Sequence, residues 1–155
     1  MRASIIVLKL ALLGDSAVGK TSLIEMYKFR EDYKSILGVS ICVKELEIED
    51  NQILLVIWDI PGQAKYDLSR NMCFQGIIGV LFAYDITRYA TFKNVKSKWL
   101  EDLNEYGETE LSYVLIGNKC DLNDSRIDSN EEGRTHANKI KASDFVGTSG
   151  SMVKM

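Results

Sequence analysis

The sequence predicts an α/β protein with a doubly wound, mostly parallel sheet in a three-layer α/β/α arrangement. Four nearly continuous apolar runs are typical of strands that are covered on both faces. Helical patterns lie between these runs, as expected when right-handed crossovers connect parallel strands. The length of 155 residues suits one domain, so we expect residues 1–155 to form a single unit.

The strands are predicted from runs of apolar and β-branched residues. The first run covers residues 5–13, and only Lys9 interrupts it. Three similar runs cover residues 53–58, 80–84 and 113–116. Residues 39–48 mix apolar with charged side chains, which predicts one edge strand that turns at residues 49–51 and pairs antiparallel with the next strand.

The helices are predicted from apolar periodicity and from capping residues. The segment 21–28 follows the first strand, and the segment 129–141 opens on a capping box. The segment 90–106 places apolar side chains on one face and charged ones on the other. Those apolar side chains are Phe92, Val95, Trp99 and Leu103. In a sheet of this kind, ligands bind beyond the carboxyl ends of the strands, so we expect the functional residues there.

Composition and charge limit the classes of function. The chain carries 19 Lys and Arg against 22 Asp and Glu, and this balance argues against nucleic-acid binding because no basic excess is present to displace counterions. The longest apolar run is too short to span a bilayer. The three cysteines match no zinc or redox spacing, which favours free thiols and a cytoplasmic setting. The single histidine, His136, lies in a polar stretch and is expected at the surface.

A glycine-rich motif follows the first predicted strand. Residues 14–21 read GDSAVGKT, which fits the pattern G-x-x-x-x-G-K-[ST] between a strand and a helix. Glycines let the backbone wrap closely, so that N–H groups and a helix N-terminus point at phosphate oxygens. Lys20 then supplies a charge for the β- and γ-phosphates, and the Thr21 hydroxyl is a ligand for Mg²⁺. The predicted phosphate-binding residues are Gly14, Asp15, Ser16, Ala17, Val18, Gly19, Lys20, Thr21 and Ser22.

A second motif, D-x-x-G, follows the strand predicted at residues 53–58. Asp59 can hold Mg²⁺ through a water, because Mg²⁺ prefers oxygen ligands and keeps several waters. The Gly62 N–H group can meet a γ-phosphate, and Gln63 can orient the attacking water. The D-x-x-G pattern also occurs in ordinary turns, so it supports a nucleotide site only because of its position directly after a predicted strand.

A third motif, GNKCD at residues 117–121, follows the strand predicted at residues 113–116. The Asp121 carboxylate can accept two N–H bonds from guanine N1 and N2, a donor pair that adenine lacks, which predicts rejection of adenine. Asn118 can bridge to the phosphate-binding loop at residues 14–21, called the phosphate loop below, and the aliphatic stem of Lys119 can cover the guanine base. A short sixth strand ends in a triplet whose backbone N–H groups can meet guanine O6, namely Thr148, Ser149 and Gly150.

These motifs resemble those of the small GTPases of the Ras superfamily, in particular its Rab branch. The resemblance is carried by GDSAVGKT (14–21), IWDIPGQ (57–63), FAYDIT (82–87), NKCDL (118–122) and TSG (148–150). It implies a P-loop NTPase fold that binds GTP and GDP with Mg²⁺ and hydrolyses GTP slowly to GDP and phosphate.

The resemblance also implies roles for individual residues and a class of partners. Gln63 and Lys20 would be the catalytic residues, and the metal site would use Thr21 and Asp59. Two nucleotide-dependent segments, the switches, would be read by protein effectors and regulators in intracellular signalling or vesicle trafficking. The second switch would extend to about Phe74.

The first switch departs from the family pattern. Family members carry a Thr that ligates Mg²⁺ and senses the γ-phosphate, whereas the aligned residue here is Ile36, whose side chain has no oxygen to offer a hard cation. Ser35 or Ser40 can substitute only after a shift in register. We therefore expect nucleotide binding with weakened switching or hydrolysis. The alternative function is a hydrolysis-impaired nucleotide-binding scaffold, a pseudo-GTPase.

Four further positions keep two interpretations each. Phe29 falls where the family stacks an aromatic ring on guanine, and it can equally belong to the core. Ile41, Trp58 and Cys73 stand where Rab-like proteins place an apolar triad that reads partners, and ordinary core packing is the alternative.

The ends of the chain also differ from the family pattern. Family members continue past the TSG segment into a long helix that covers one face of the sheet, whereas five residues follow Gly150 here. We expect this C-terminal helix to be missing and an apolar face to be bare, so that the chain is a fragment of a larger GTPase or a partner covers that face. No lipidation site is expected, because no cysteine lies near the C-terminus and the chain starts with Met-Arg.

Overall fold

The computed structural model describes residues 4–27, 29–34, 38–61, 73–106, 111–119 and 130–148 of the chain. These residues form one sheet of seven strands. The strands are β1 (Ile5–Leu13), β2 (Arg30–Lys34), β3 (Ser40–Ile48), β4 (Asn51–Asp59), β5 (Gly79–Asp85), β6 (Ser112–Asn118) and β7 (Asp144–Gly147). The helices are α1 (Lys20–Met26), α2 (Tyr89–Asn94), α3 (Leu100–Tyr106) and α4 (Asn130–Lys139). A π-helical turn, Val95–Trp99, joins α2 to α3.

The sheet is mostly parallel, with the strand order β2-β3-β4-β1-β5-β6-β7. β1 lies between β4 and β5 and is parallel to both. β5, β6 and β7 continue in the same direction. In the described sheet, β3 is the one strand that runs antiparallel to its neighbours, β2 and β4. The α/β fold class predicted from the sequence is therefore confirmed.

The predicted hairpin is present, but it lies one strand further inside the sheet than predicted. β3 and β4 pair from Ser40 opposite Asp59 to Ile48 opposite Asn51. The chain reverses through Glu49 and Asp50, whose φ angles of 49° and 63° match the twist of a tight hairpin. The sequence placed this strand at the edge, whereas β2 pairs outside it. β2 was missed because its residues, REDYK, are all exposed and form no apolar run.

Apolar side chains pack on both faces of the sheet, which gives the predicted three layers. The larger cluster joins β5 to the helical segment 89–106, where the four apolar side chains predicted on one face are all buried. A smaller cluster on the other face includes Leu12, Val18, Ile24, Cys42, Ile57 and Ala83. The predicted periodicity therefore identified the helix face that meets the sheet.

Predictions for three polar or sulfur-bearing side chains can be compared with the structure. Cys42 and Cys73 are free, as predicted, and both are buried. The prediction of a surface position for His136 is wrong, since its ring stacks on Phe92 with 3.7 Å between centroids. α4 offers few apolar residues, and the imidazole completes its inward face beside Ala137 and Ile140. Among the residues that the structure describes, no helix is long and apolar enough to cross a membrane.

Candidate functional site

The candidate site lies at the edge of the sheet where the parallel strands end. In the strand register, Leu12 of β1 lies opposite Asp59 of β4, and Asp85 of β5 lies opposite Asn118 of β6. The loop between β1 and α1 starts at the same edge. The topology therefore brings motifs that are far apart in the sequence to one place.

The loop from Gly14 to Gly19 is shaped by close backbone contacts. A Cβ atom at Gly14 would meet the Ala83 carbonyl oxygen, and one at Gly19 would meet the Asn118 amide nitrogen. Gly19 also caps α1 with a left-handed φ of 96°, a conformation that glycine adopts without strain. These two glycines are therefore needed for the loop to lie against β5 and β6.

Lys20 is the central cation of this loop. Its side chain is buried, with 7% exposed, and Nζ donates to the Gly14 and Asp15 carbonyl oxygens at 2.8 and 3.2 Å. Burial lowers the pKa of Lys20 from its ordinary value, whereas the nearby Asp59 and Asp15 carboxylates raise it. The loop backbone thus fixes the ammonium group in a site from which bulk water is largely excluded.

A cavity of about 400 Å³ opens beside Lys20, within the size range of small-molecule sites. Its lining residues come from the loop, the start of α1, β2, β3, the end of β4 and the residues that flank these strands: Ser16, Ala17, Gly19, Lys20, Thr21, Ser22, Glu31, Lys34, Gly38, Ser40, Asp59 and Pro61. Most predicted phosphate-loop residues therefore face one cavity together with both predicted metal-site residues.

The residues in this cavity fit a hard divalent cation. Asp59 Oδ1 is buried and has no hydrogen-bond partner among the described residues. Burial raises the pKa of the Asp59 carboxyl, and the charge of Lys20 lowers it. Thr21, an exposed residue, and Ser40 line the same space. A carboxylate oxygen that no described residue engages, in a cavity also lined by hydroxyl-bearing residues, is a suitable ligand set for Mg²⁺ that keeps several waters.

Asn118 ties the phosphate loop to the end of β6. Its amide nitrogen donates to the Val18 carbonyl oxygen at 2.8 Å, and its amide oxygen accepts from the Thr148 hydroxyl at 3.0 Å. The Thr148 backbone N–H donates to the Gly117 carbonyl oxygen at 2.9 Å. These bonds bring together three of the predicted segments.

Asp85 is a buried carboxylate that the motif analysis did not single out. Its Oδ2 lies 2.8 Å from Lys119 Nζ and 3.3 Å from Arg88 Nε, while Oδ1 accepts from the Thr87 hydroxyl and backbone N–H. Arg88 also donates to the Ser16 carbonyl oxygen at 3.1 Å. Asp85 therefore links the 117–119 segment to the phosphate loop. Its place inside the FAYDIT segment was the available signal in the sequence.

Comparison with known proteins then identifies the family. The Ras family model matches residues 9–154. The chain belongs to the Ras family. This assignment agrees with the resemblance carried by the sequence motifs, including its Rab-like character.

Similar Ras-family relatives carry Rab names. The chain is 39% identical over 132 residues to the Ras-related protein RABA5c of Arabidopsis thaliana, covering 83% of this chain and 61% of the relative. It is 41% identical to RABA6b of the same plant, covering 83% and 57%. It is 35% identical to Rab-10 of Caenorhabditis elegans, covering 81% and 63%. The chain thus spans about three fifths of the length of these relatives.

The four positions of this Ras-family chain that have two interpretations differ in their burial. Phe29 is half-buried, packs against the smaller apolar cluster and has Lys44 Nζ at 5.7 Å from its ring centroid. Cys73 is buried in the larger cluster, whereas Ile41 and Trp58 remain half-exposed. Packing in the core therefore accounts for Cys73, and stacking of Phe29 on a base stays a prediction.

Several predicted site residues of the Ras-family motifs lie outside the described residues. They are Gly62, Gln63, Asp121, Ser149 and Gly150, together with Ser35 and Ile36 of the first switch. The described part of the site consists of the phosphate loop, Asp59, Asn118, Lys119 and Thr148.

Proposed function

We propose that this chain is a single G domain over residues 1–155 that binds GTP and GDP with Mg²⁺ and hydrolyses GTP slowly to GDP and phosphate. The observation that carries the proposal is the buried Lys20 ammonium, held over the loop backbone, together with the Asp59 oxygen that has no hydrogen-bond partner among the described residues. A cation of this kind, next to loop N–H groups and a carboxylate, matches the charge pattern of a nucleotide polyphosphate with its metal.

In this proposal, different residues bind the phosphates, orient the attacking water and hold the metal. The loop N–H groups and Lys20 bind the β- and γ-phosphates and stabilise the charge that develops when a water attacks the γ-phosphorus and the bond to the β-phosphate oxygen breaks. Gln63 orients that water. Bound Mg²⁺ supplies further charge neutralisation, with Thr21 and Asp59 as the side chains that would hold it.

Guanine recognition in this proposal rests on Asp121, and it is supported by the contacts of the described residues that precede the base-reading positions. Asn118 and Thr148 fix the ends of β6 and β7, the strands that precede the base-reading residues. The Lys119 ammonium is held by Asp85, which leaves its stem to cover the base. Asp121, Ser149 and Gly150 complete this part of the proposal.

The proposed cellular role is that of a Rab-like switch in the cytoplasm, in intracellular signalling or vesicle trafficking. Effectors and regulators would bind the two switch segments. The second candidate function, a scaffold with little turnover, is favoured by one observation, the absence of a side-chain oxygen at Ile36.

Nucleotide titration tests the binding part of the proposal. We expect fluorescent mant-GDP to bind, excess GDP to displace it and ATP to leave it bound. Lys20→Ala should weaken binding at least about tenfold, because a buried charge-assisted contact is lost. Lys93→Ala, at an exposed position on α2, is the matched control and should bind as the wild type does. Tight ATP binding that Asp121→Ala leaves unchanged would refute guanine selectivity.

Single-turnover hydrolysis separates the two candidate functions. Gln63→Leu should slow the wild-type reaction at least about tenfold if the chain hydrolyses GTP. Ile36→Thr should accelerate turnover and make it more dependent on Mg²⁺. Unchanged turnover in the Ile36→Thr variant would show that this position does not limit the reaction.

A further inference from the structure

The Asp15 side chain of the phosphate loop is held by two donors on one helical segment. Trp99 Nε1 donates to Asp15 Oδ1 at 2.9 Å, and Asn94 Nδ2 donates to Asp15 Oδ2 at 2.5 Å. Both carboxylate oxygens are thus engaged by side chains that are about 80 residues away in the sequence. Trp99 is almost completely buried, and Asn94 and Asp15 are half-buried.

The two donors can share one carboxylate because of the π-helical turn. On an α-helix of about 3.6 residues per turn, residues five apart point about 140° away from each other. In the turn Val95–Trp99, the Leu100 N–H bonds to the Val95 carbonyl oxygen, an i→i+5 pattern that widens the helix. The wider turn brings Asn94 and Trp99 toward the same face, where Asp15 lies.

Asp15 connects the two donors of the helical segment to Lys20. Its carbonyl oxygen accepts from Lys20 Nζ at 3.2 Å, while its side chain is bound by the helix. The same two donors hold the negative carboxylate on the helix side of the loop, where it does not compete with an incoming phosphate for the loop N–H groups.

We propose that Asn94 and Trp99 are positioning residues for nucleotide binding, which act through Asp15 by clamping the phosphate loop to the π-helical turn. This inference rests on the proposed function, since it concerns retention of the guanine nucleotide at the same loop. Loss of either donor frees the Asp15 side chain, and bound nucleotide is released faster. The affected step is dissociation, because the clamp stabilises the loop shape that the bound phosphates require.

The main alternative is that Asp15 only satisfies a buried indole N–H, which any buried tryptophan needs. In that case, a donor-removing substitution would lower stability, and nucleotide release would change only as far as stability does. A control variant with a similar loss of stability therefore separates the two explanations.

The experiment measures mant-GDP release from the full chain after addition of excess GDP. Trp99→Phe removes the N–H donor and keeps an aromatic ring, and Asn94→Ala removes the other donor from a half-buried position. Each should speed release about ten- to a hundredfold, the range expected when a hydrogen bond to a charged group is lost. Leu103→Ala, a buried position on α3 outside the clamp, is the destabilised control and should change release less than about twofold.

The possible outcomes are distinguishable. Release rates in Trp99→Phe and Asn94→Ala that equal the wild type, or that follow the melting temperature as Leu103→Ala does, would overturn the clamp and leave the proposed function standing. Failure of the wild type to bind mant-GDP would overturn both. In the Asp15→Ala background, Trp99→Phe should add almost nothing, because the shared partner is already gone. Full additivity of the two substitutions would also contradict the clamp.

Discussion

Asn118 joins three segments of the site through one buried amide group. It is 1% exposed, and its two hydrogen bonds reach the phosphate loop and Thr148. Its role as a bridge was predictable from the NKCD motif, because that motif fixes the residue type and its position after a strand. The partner atoms were not predictable, since they depend on how closely Gly19 lets the loop approach β6.

Asn118→Ala should destabilise the chain by about 2–4 kcal/mol, because two buried hydrogen bonds are lost and the Val18 carbonyl is left without this donor. Urea denaturation in the absence of nucleotide measures the change. Asn51→Ala, which removes an exposed bond to the Glu49 carbonyl oxygen, should cost less than about 1 kcal/mol. Similar losses for both variants would argue against the bridge.

The Asp85 cluster makes stability depend on pH. Burial raises the pKa of the Asp85 carboxyl, but the bonds from Lys119 and Thr87 together outweigh it, so the pKa lies below its ordinary value. A lowered folded-state pKa gives stability that is present above about pH 4 and is lost as the pH falls through the folded value.

Asp85→Asn should therefore lower the free energy of unfolding at pH 6, and its deficit relative to the wild type should shrink toward pH 3. Urea denaturation across this pH range is the measurement. The control, Asp32→Asn, changes an exposed carboxylate on β2 and should give a small difference at every pH. A deficit for Asp85→Asn that is constant from pH 6 to pH 3 would disprove the charge-based explanation.

At the scale of elements, the helical segment 89–106 shows what periodicity can and cannot predict. The spacing of Phe92, Val95, Trp99 and Leu103 predicts one helix with the observed buried face. The π-helical turn leaves no mark in this spacing, because the turn keeps the same face toward the sheet. The reach of Asn94 toward Asp15 could therefore not be predicted from the sequence.

The packing of α4 on β7 depends on a glycine. Gly133 is buried, and a Cβ atom there would press into the Phe145 ring. Gly133→Ala should destabilise by about 1–3 kcal/mol, because overpacking outweighs the better helix propensity of Ala. Thermal unfolding followed by circular dichroism tests this.

The matched control on the same helix is Asn138→Ala, an exposed position where Ala should be neutral or slightly stabilising. If Gly133→Ala raised the melting temperature as Asn138→Ala does, Phe145 would have room to move aside, and the close contact would not constrain α4.

At the scale of the whole molecule, nucleotide binding should be coupled to global stability. With GDP at about 100 times its dissociation constant and with Mg²⁺, stability should rise by about 2.7 kcal/mol, which corresponds to a melting-temperature increase of about 5–10 °C for a chain of this size. ATP at the same concentration should give no increase. Chelation of Mg²⁺ should reduce the increase, and an equal shift with ATP would contradict guanine binding.

The overall architecture was the most predictable property of the chain. Apolar runs identify the buried parallel strands, because a strand that is covered on both faces needs apolar side chains pointing to both sides of the sheet. Strand β2 was not predicted, because its pairing with β3 uses backbone groups and its side chains remain exposed. The burial of Asp85 and His136 was not predicted either, because nothing in a polar side chain itself indicates that residues from other segments will cover it.

The contact between Trp99 and Asp15 also has an optical consequence. The chain has two tryptophans, Trp58 and Trp99, and the second donates directly to the phosphate loop. A Trp58→Phe variant would keep a single indole, whose emission responds to the charge next to its N–H group. Such a protein would report changes at the loop through its own fluorescence, without an attached dye.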